Sequence, residues 1–394
     1  MRTLSATLLV LSFASCAFGD QVELLDFTRV EGAVKSVSDK HVVIASAGGE
    51  RKIEIRDVAE VKFSEPPDVM SKAAQHVLVT AAGDMFAAAG LSVEGGHVSF
   101  ETPDLGQVRL PVEAASVFYQ PIGDATAGEL RRKADEMKLE PSAADLLVAV
   151  NERGDWLTVS GLLKAVGPDT ILFRWKDEDR TVKRQTMRAI FFGTVTRQTP
   201  RRAGVVILSD GSVVGFQSLA LTGETAVVRS ATVGERKIPR GKLTVIRFES
   251  DRVVELADLK PDGVNEYGVF ETFPHRVNAS VGGGPIRLGG RIYATGLGLH
   301  SFCELSYELA GRFSTFVATV GIDDTMRPRG DAVLTFLGDG RQLAEPLRLT
   351  GKDKPTTLRL NVSRVRVMTI RVDFGQHGLD SGDHVDLAAA RLIK

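Results

Sequence analysis

Two fifteen-residue segments of this chain begin with the same five residues and end on a basic residue followed by Phe: GERKIEIRDVAEVKF (Gly49 to Phe63) and GERKIPRGKLTVIRF (Gly234 to Phe248). Looser copies of the same plan, GQVRLPVEAASVFY (Gly106 to Tyr119) and DRTVKRQTMRAIFF (Asp179 to Phe192), lie between them. Each copy closes a longer unit. In the first unit the runs are TRVEGAVKSV, HVVIAS, RKIEI and VAEVKF, and in the fourth they are SDGSVVGF, TAVVRS, ERKIP and LTVIRF. Alternating apolar residues bounded by Gly, Asp and Ser mark short half-buried strands joined by tight turns. Four or five strands in about 45 residues predict a small SH3-like or Sm-like barrel, which closes its sheet and hides the edges. A unit of that size buries too little apolar surface to stand alone, so neighbouring copies are expected to pack in pairs. The four units are assigned to residues 20–66, 77–121, 148–196 and 203–250. Their repetition suits either a string of adhesive modules or a spacer with no ligand of its own.

The composition changes between the second and third units. Thr126 to Val150 is rich in Glu, Leu, Arg, Lys and Met, with a Pro stop at Pro141 and a second capping signal at Ser142. It predicts a helical connector, assigned to residues 122–147, in which Leu130, Ala134 and Met137 lie at helical spacing and read as a packing stripe. A shorter helix is expected from Met70 to His76.

Residues 1–19 read as a secretory signal: a basic start at Arg2, an apolar run from Leu4 to Phe18, and the small-x-small pattern Ala17-Phe18-Gly19. The mature chain is expected to begin near Asp20, with lipidation of Cys16 as the rival reading. The product would be periplasmic, on the cell surface or extracellular. No later apolar run approaches the ~20 residues of a membrane helix. With Cys16 removed, Cys303 is the remaining cysteine and no intrachain disulfide can form. A formal net charge of -1 gives no electrostatic footprint for nucleic acid.

Residues 252–394 follow a different pattern. Phe316, Ala318, Val320 and Ile322 share one strand face while Thr315, Val317 and Thr319 share the other, as a sandwich strand with one core face requires. Gly338-Asp339-Gly340 predicts a hairpin turn. Val365 and Val367 differ in parity from Met368, Ile370, Val372 and Phe374, which predicts a bulge or a strand boundary near Met368. GGRIYATGLGLHS (Gly289 to Ser301), FVATVGIDD (Phe316 to Asp324) and SGDHVDLAAARL (Ser381 to Leu392) put polar side chains at strand ends, the usual material of a binding site on a β-scaffold.

Together with ELADLKP (Glu255 to Pro261) and FLGDGR (Phe336 to Arg341), these segments resemble the NPCBM family of secreted carbohydrate-binding β-sandwich domains. That family is related to the galactose-binding modules appended to some glycosidases. The resemblance runs from about Val254 to Lys394. It implies a jelly-roll, galactose-binding-like sandwich whose partner is a glycan or cell-envelope polysaccharide. The expected fold is thus mainly β: a C-terminal β-sandwich preceded by small SH3-like or Sm-like barrel repeats, with a short helical connector.

Sugar recognition needs fixed hydrogen-bonding groups and an aromatic face for the C–H surface of the ring. His300, Asp323, Asp324, Arg327, His384 and Asp386 are the candidate carbohydrate-binding residues. Adjacent Asp323 and Asp324 would point to opposite faces of a continuing strand, so one of them is expected to fix a turn. For His300 a structural hydrogen-bonding role is the rival reading. Where the family commonly ends in a pattern like DHADWADARL, this chain has Leu387 in place of the Trp and Ala389 in place of the following Asp. Trp156 and Trp175 lie outside the domain, leaving Tyr267, Phe270, Phe273, Tyr293 and Phe302 as its available rings. The change implies altered or lost affinity for galactose-like sugars.

Asp373, Asp380 and Asp383, with Asp386, make an oxygen-rich loop suited to a structural calcium, although their spacing is not that of an EF-hand. His275, His300, His377 and His384 show neither HExxH nor a Cys partner motif, which argues against zinc. No G-x-S-x-G occurs, and beyond the β-modules the chain has no domain to hold two carboxylates in a cleft. The sequence therefore reads as an exported, non-catalytic glycan-binding protein. The competing reading is a structural or protein-interaction module of the cell envelope, partnered by envelope proteins, whose sugar site has decayed.

Overall fold

The computed structural model describes residues 19–64, 76–121, 126–139, 142–193, 201–269, 271–376 and 378–394. The signal segment 1–18, residues 70–75 of the short helix, Pro141, Phe270 and His377 lie outside the described residues. The chain divides into two compact units, one holding Arg29–Glu249 with the described residues up to Val22, the other Ser250–Lys394 with Glu23–Thr28.

In the first unit each repeat has the same order. The first repeat runs Asp20–Leu24, Arg29–Val37, His41–Ser46 and Gly49–Glu54, then a 3-10 turn at Ile55–Asp57 and a fifth strand at Val58–Lys62. Equivalent turns occur at Val112–Ala114, Arg184–Thr186 and Arg240–Lys242. The first residue of every turn donates its N–H to the loop before the third strand: Ile55 to Lys40 O at 2.8 Å, and Val112 to Gly96 O, Arg184 to Asp169 O and Arg240 to Glu224 O at 2.9 Å each. Within a repeat the fifth strand pairs with the first, the first with the second, the second with the third, and the third with the fourth, as Asp145–Val150, Trp156–Val166, Thr170–Trp175, Glu178–Lys183 and Met187–Phe191 illustrate. In the fourth repeat Gln217 interrupts the second strand.

The repeats pack in pairs, but not in chain order. The fifth strand of the first repeat lies antiparallel to that of the fourth, with Val61 opposite Ile246. The second and third repeats meet in the same way, Phe118 opposite Ile190. Second strands also touch within each pair, at Val37 with Leu221 and at Val93 with Val166. Val213 opposite Met85 links the pairs, so all the strands form one 21-stranded sheet.

The connector is shorter than expected. Its helix spans Ala127–Glu136 and opens with a capping box, Thr126 accepting from the Glu129 N–H at 3.2 Å while Glu129 accepts from the Thr126 N–H at 2.7 Å. Leu130 and Ala134 are buried while Met137 is exposed. Ser142 caps no second helix; its hydroxyl donates to Ala144 O at 2.9 Å, and a strand begins at Asp145. His76 likewise starts a strand, His76–Thr80, rather than ending a helix.

The second unit is a sandwich of two antiparallel sheets. One is ordered Arg276–Val277, Gly296–Leu299, Val385–Ile393, Thr315–Ile322, Thr356–Asn361, with Val253–Glu255 also on Val385–Ile393. The other is ordered Gly263–Glu266, Cys303–Glu308, Val367–Phe374, Asp331–Gly338, Arg341–Gln342, with Leu347–Thr350 also on Asp331–Gly338. Phe316, Ala318, Val320 and Ile322 face Leu305, Tyr307, Phe336 and Ile370 across the core. The hairpin turn falls at Asp339-Gly340, both at positive φ, and the parity change near Met368 marks the start of a strand at Val367. A bulge at Ala389 (φ 48) switches the inward set of the last strand from Val385 and Leu387 to Ala390 and Leu392.

In the first unit Asp20, which is buried, accepts from Val34 N at 2.8 Å and Ser64 N at 3.0 Å and pairs with Arg240. Asp20→Ala strips one partner from a buried ion pair and is expected to cost roughly 3–5 kcal/mol. Urea denaturation followed by Trp156 and Trp175 fluorescence measures it. A loss no larger than that of Glu54→Ala, whose ion pair with Arg56 is exposed, would contradict the assignment.

Candidate functional site

Three loops converge at one end of the sandwich, where Leu299 pairs with Val385 and Glu266 with Cys303. The first follows Glu266. Its path is tight, since a Cβ on Gly268 would lie 1.8 Å from Glu271 O, and Asp380 pins it by accepting from Val269 N at 2.8 Å. The second, His300 to Phe302, crosses between the sheets. It is held by Asp383, which accepts from Ser301 Oγ at 2.6 Å and, through its other oxygen, from Asp331 N at 2.8 Å. Asp331 in turn takes both donors of Arg348, at 2.7 and 3.0 Å. The third loop carries Asp380, Asp383 and His384.

These anchors carry a cluster of rings. Phe273, 38% exposed, lies 4.7 Å from the His300 ring and 6.2 Å from that of His384. The two imidazoles meet edge to face at 5.4 Å. Both are buried beneath the phenyl ring. His300 Nδ1 donates to Ser301 O at 2.8 Å. His384 Nδ1 is buried without a hydrogen-bond partner among the described residues. Burial and the neighbouring His300 and Arg329 lower the His384 pKa, against a smaller opposing effect of Asp323, so the ring is neutral at physiological pH. Beside this cluster Tyr267, 49% exposed, stacks on Phe302 with centroids 4.6 Å apart. The site therefore offers exposed aromatic faces, a neutral imidazole with an unused nitrogen and the exposed Arg329.

The structure brings His300 and His384 together and assigns the other candidates elsewhere. Asp324 fixes a turn, accepting from Gly289 N at 3.0 Å and Gly290 N at 2.7 Å. Asp323 is fully buried and accepts from Thr325 N at 2.9 Å and Arg287 N at 3.3 Å. Arg327 donates to Asp353 O at 2.7 Å, and the arginine beside His384 is Arg329, which parity within an irregular turn could not single out. The carboxylates proposed for calcium serve separate donors: Asp380 binds Val269 N, Asp383 binds Ser301 and Asp331, and Asp373 accepts from Phe374 N at 2.8 Å. Among the described residues no group of three or more His, Cys, Asp or Glu side chains is arranged to hold a metal ion. Leu387 is wholly buried in the sandwich core, so the position where a Trp was expected faces packing rather than a ligand.

Asp386 lies beneath the site, fully buried beside Asp323. Neither of its oxygens has a well-formed hydrogen bond from a donor among the described residues, and the Arg287 N–H compensates only a small part of the cost of ionising it. Burial, and then its bond to Asp323, pushes its pKa up to about 9. Burial opposes ionisation of Asp323 as well, but the hydrogen bonds from Asp386, Thr325 and Arg287 outweigh it and hold that carboxyl below its usual range. The pair shares one proton, donated by Asp386.

Residues 252–393 match the family model described as NPCBM/NEW2 domain, and the C-terminal unit carries that domain. A protein of Renibacterium salmoninarum named "Putative endo-alpha-N-acetylgalactosaminidase" is 32% identical over 90 residues, which are 23% of this chain. The match spans 6% of that relative's length. Among solved structures, the CBM51 of Clostridium perfringens GH95, in complex with methyl-galactose, is 21% identical and is covered over 99% of its chain, against 36% of this one, with a TM-score of 0.32. The CBM51-2 and INT domains of Clostridium perfringens ZmpB, in complex with GlcNAc, are 20% identical with a TM-score of 0.34, covering 49% of this chain and 38% of theirs.

The carboxyl pair sets a pH dependence whose sign is fixed. The native state keeps the Asp386 proton to about pH 9, while an unfolded Asp releases it near ~4, so between those values the native state binds more protons and stability falls as pH rises. Asp323 acts in the other window: its stabilisation is present above the unfolded value and is lost as pH falls through its lowered folded pKa. Asp386→Asn is therefore expected to flatten the decline in urea midpoint between about pH 6 and 9 while leaving the acid limb in place. Parallel profiles for the variant and the parent would contradict the shared proton.

Proposed function

We propose that the C-terminal unit binds a glycan at the end of the sandwich where Phe273, His300, His384 and Arg329 meet, and that the chain is an exported binding protein without catalytic activity of its own. The observation that carries this reading is the pairing of an exposed phenyl face with a buried, neutral imidazole whose Nδ1 has no partner among the described residues. A sugar presents the complement of such a surface: a C–H face for the ring and hydroxyls for the imidazole and guanidinium. Tyr267 and Phe302 extend the aromatic surface.

The NPCBM/NEW2 match supports the ligand class, as does a relative named for the cleavage of an N-acetylgalactosaminyl link. The burial of Leu387 supports this reading, because the side chain at that position packs the core. Of the described residues, no helix is long and apolar enough to cross a membrane. Export rests on the basic, apolar and small-x-small pattern of residues 1–19.

A glycan array probed with the full mature chain, followed by calorimetry on the best ligand, tests the site. Phe273→Ala and His384→Ala are each expected to weaken binding by about tenfold or more, the equivalent of ~1.4 kcal/mol. Silence across the array, or an affinity unmoved by Phe273→Ala, would remove the proposal. Export is checked separately by the N-terminal sequence of the secreted protein, expected to start near Asp20.

A further inference from the structure

The two repeat pairs of the first unit are built alike but neutralised differently. Arg240 and Arg184 occupy the same place, the first residue of the 3-10 turn, each with its N–H on the loop before the third strand. Both reach across to the other member of their pair. Arg240 donates Nη1 to Val34 O at 2.7 Å, and Arg184 donates Nη1 to Leu91 O at 2.7 Å. Val34 and Leu91 both sit at the bulge of the second strand.

The groups that receive the two guanidinium ions differ. Arg240 rests over the Phe63 ring and pairs its Nη2 with the buried carboxylate of Asp20. The residue equivalent to Phe63 is Gln120, since Phe63 N bonds Thr244 O and Gln120 N bonds Arg188 O in matching register. Gln120 Oε1 accepts from Arg184 Nε at 3.1 Å. The residue equivalent to Asp20 is His76: each stands two places before the fully buried residue of its first strand, Val22 or Leu78. An imidazole therefore stands where the other pair has the neutralising carboxylate. Arg184 Nη1 also bonds Gly167 O at 2.9 Å, and the Asp169 carboxylate acts on this half-buried guanidinium from across the cleft without a direct hydrogen bond to it among the described residues, raising its pKa against the larger lowering by burial.

A cleft of about 770 Å³ opens at this point, lined by Arg184, His76, Gln120, Lys183, Thr170 and Asp169 among others. Its volume suits a small organic ligand rather than a lone ion. Two of those side chains, Arg184 and Lys183, are cationic against the one carboxylate of Asp169, while burial and the neighbouring Arg184 lower the pKa of His76 and keep its ring neutral. We infer that this cleft, between the second and third repeats, binds a ligand carboxylate beside His76 on the Arg184 guanidinium, the counterpart of the one Asp20 neutralises in the other pair, and that the ligand is a uronic acid residue of an acidic glycan. Gln120, Thr170 and Lys183 supply donors and acceptors for sugar hydroxyls around the anchored carboxylate. This site lies in the first unit and does not depend on the sandwich reading.

Calorimetry with the full mature chain uses galacturonate, its neutral counterpart galactose, and acetate. Galacturonate is expected to bind at this site and galactose not to. His76→Asp restores the carboxylate of the other pair from within, so it is expected to remove galacturonate binding while the melting temperature holds or rises. Lys183→Glu, at an exposed side chain that leaves the fold alone, is expected to weaken binding at least tenfold. Undiminished galacturonate binding by both variants, or none by the parent, would overturn the inference. Acetate binding as tightly as galacturonate would overturn the saccharide assignment.

Discussion

An open strand edge is the constraint on which the repeat unit depends. A bent five-stranded sheet exposes a row of N–H and C=O groups along one side of its fifth strand, the first strand covering the other. In this chain the exposed side is covered by the fifth strand of another copy: Val58–Lys62 by Leu243–Phe248, and Ala115–Tyr119 by Met187–Phe191. Pairing of like edges needs an even number of copies. The closing segments that match best, those ending at Phe63 and Phe248, meet each other although they lie far apart in the chain. The apolar residues of these strands then face a shared interior instead of several small ones.

Much of this was legible in the sequence, because strands of this kind announce themselves through local alternation and turn residues. The strands near GERKI, the hairpin at Asp339-Gly340 and the core face of Phe316 to Ile322 depend on neighbours within a few residues, and the sequence reading found them. Partner choice between distant copies is a non-local matter. Nothing in the alternation of Val58 to Phe63 says whether its outer edge meets the second copy or the fourth. The false helix signal at Ser142 has a related cause: a capping residue is a weak preference, which strand pairing overrides.

The site shows a sharper limit. Sequence can show that carboxylates gather near strand ends, but not which atoms they serve. In loops that cross between sheets, backbone N–H groups lose their ladder partners and must find others. Asp380, Asp383 and Asp324 meet that need at Val269, Asp331 and the Gly289-Gly290 turn. They hold the loops that place Phe273, His300 and His384, and so contribute to the site through its shape. The same logic corrects the reading of Leu387. A difference from the family pattern at a core position changes packing volume, and the exposed rings of the proposed site come from a loop after Glu266 whose role a strand pattern could not reveal.

Internal repetition gives a comparison that a single-copy fold lacks. The residue two places before the buried centre of the first strand is Asp20, His76, Asp145 and Gly204 in the four copies. Asp20 accepts from Val34 N and Ser64 N, and Asp145 from Leu163 N and Gly193 N at 2.6 Å each, so the acid ties the second strand to the end of the fifth. At Gly204 a Cβ would lie 2.2 Å from Arg247 O, so the backbone itself closes the gap. A neutral imidazole offers one acceptor and cannot accept two N–H groups as a carboxylate does. One position therefore seals a repeat where an acid or glycine stands, and where His76 stands it borders a cleft shared with the guanidinium of Arg184.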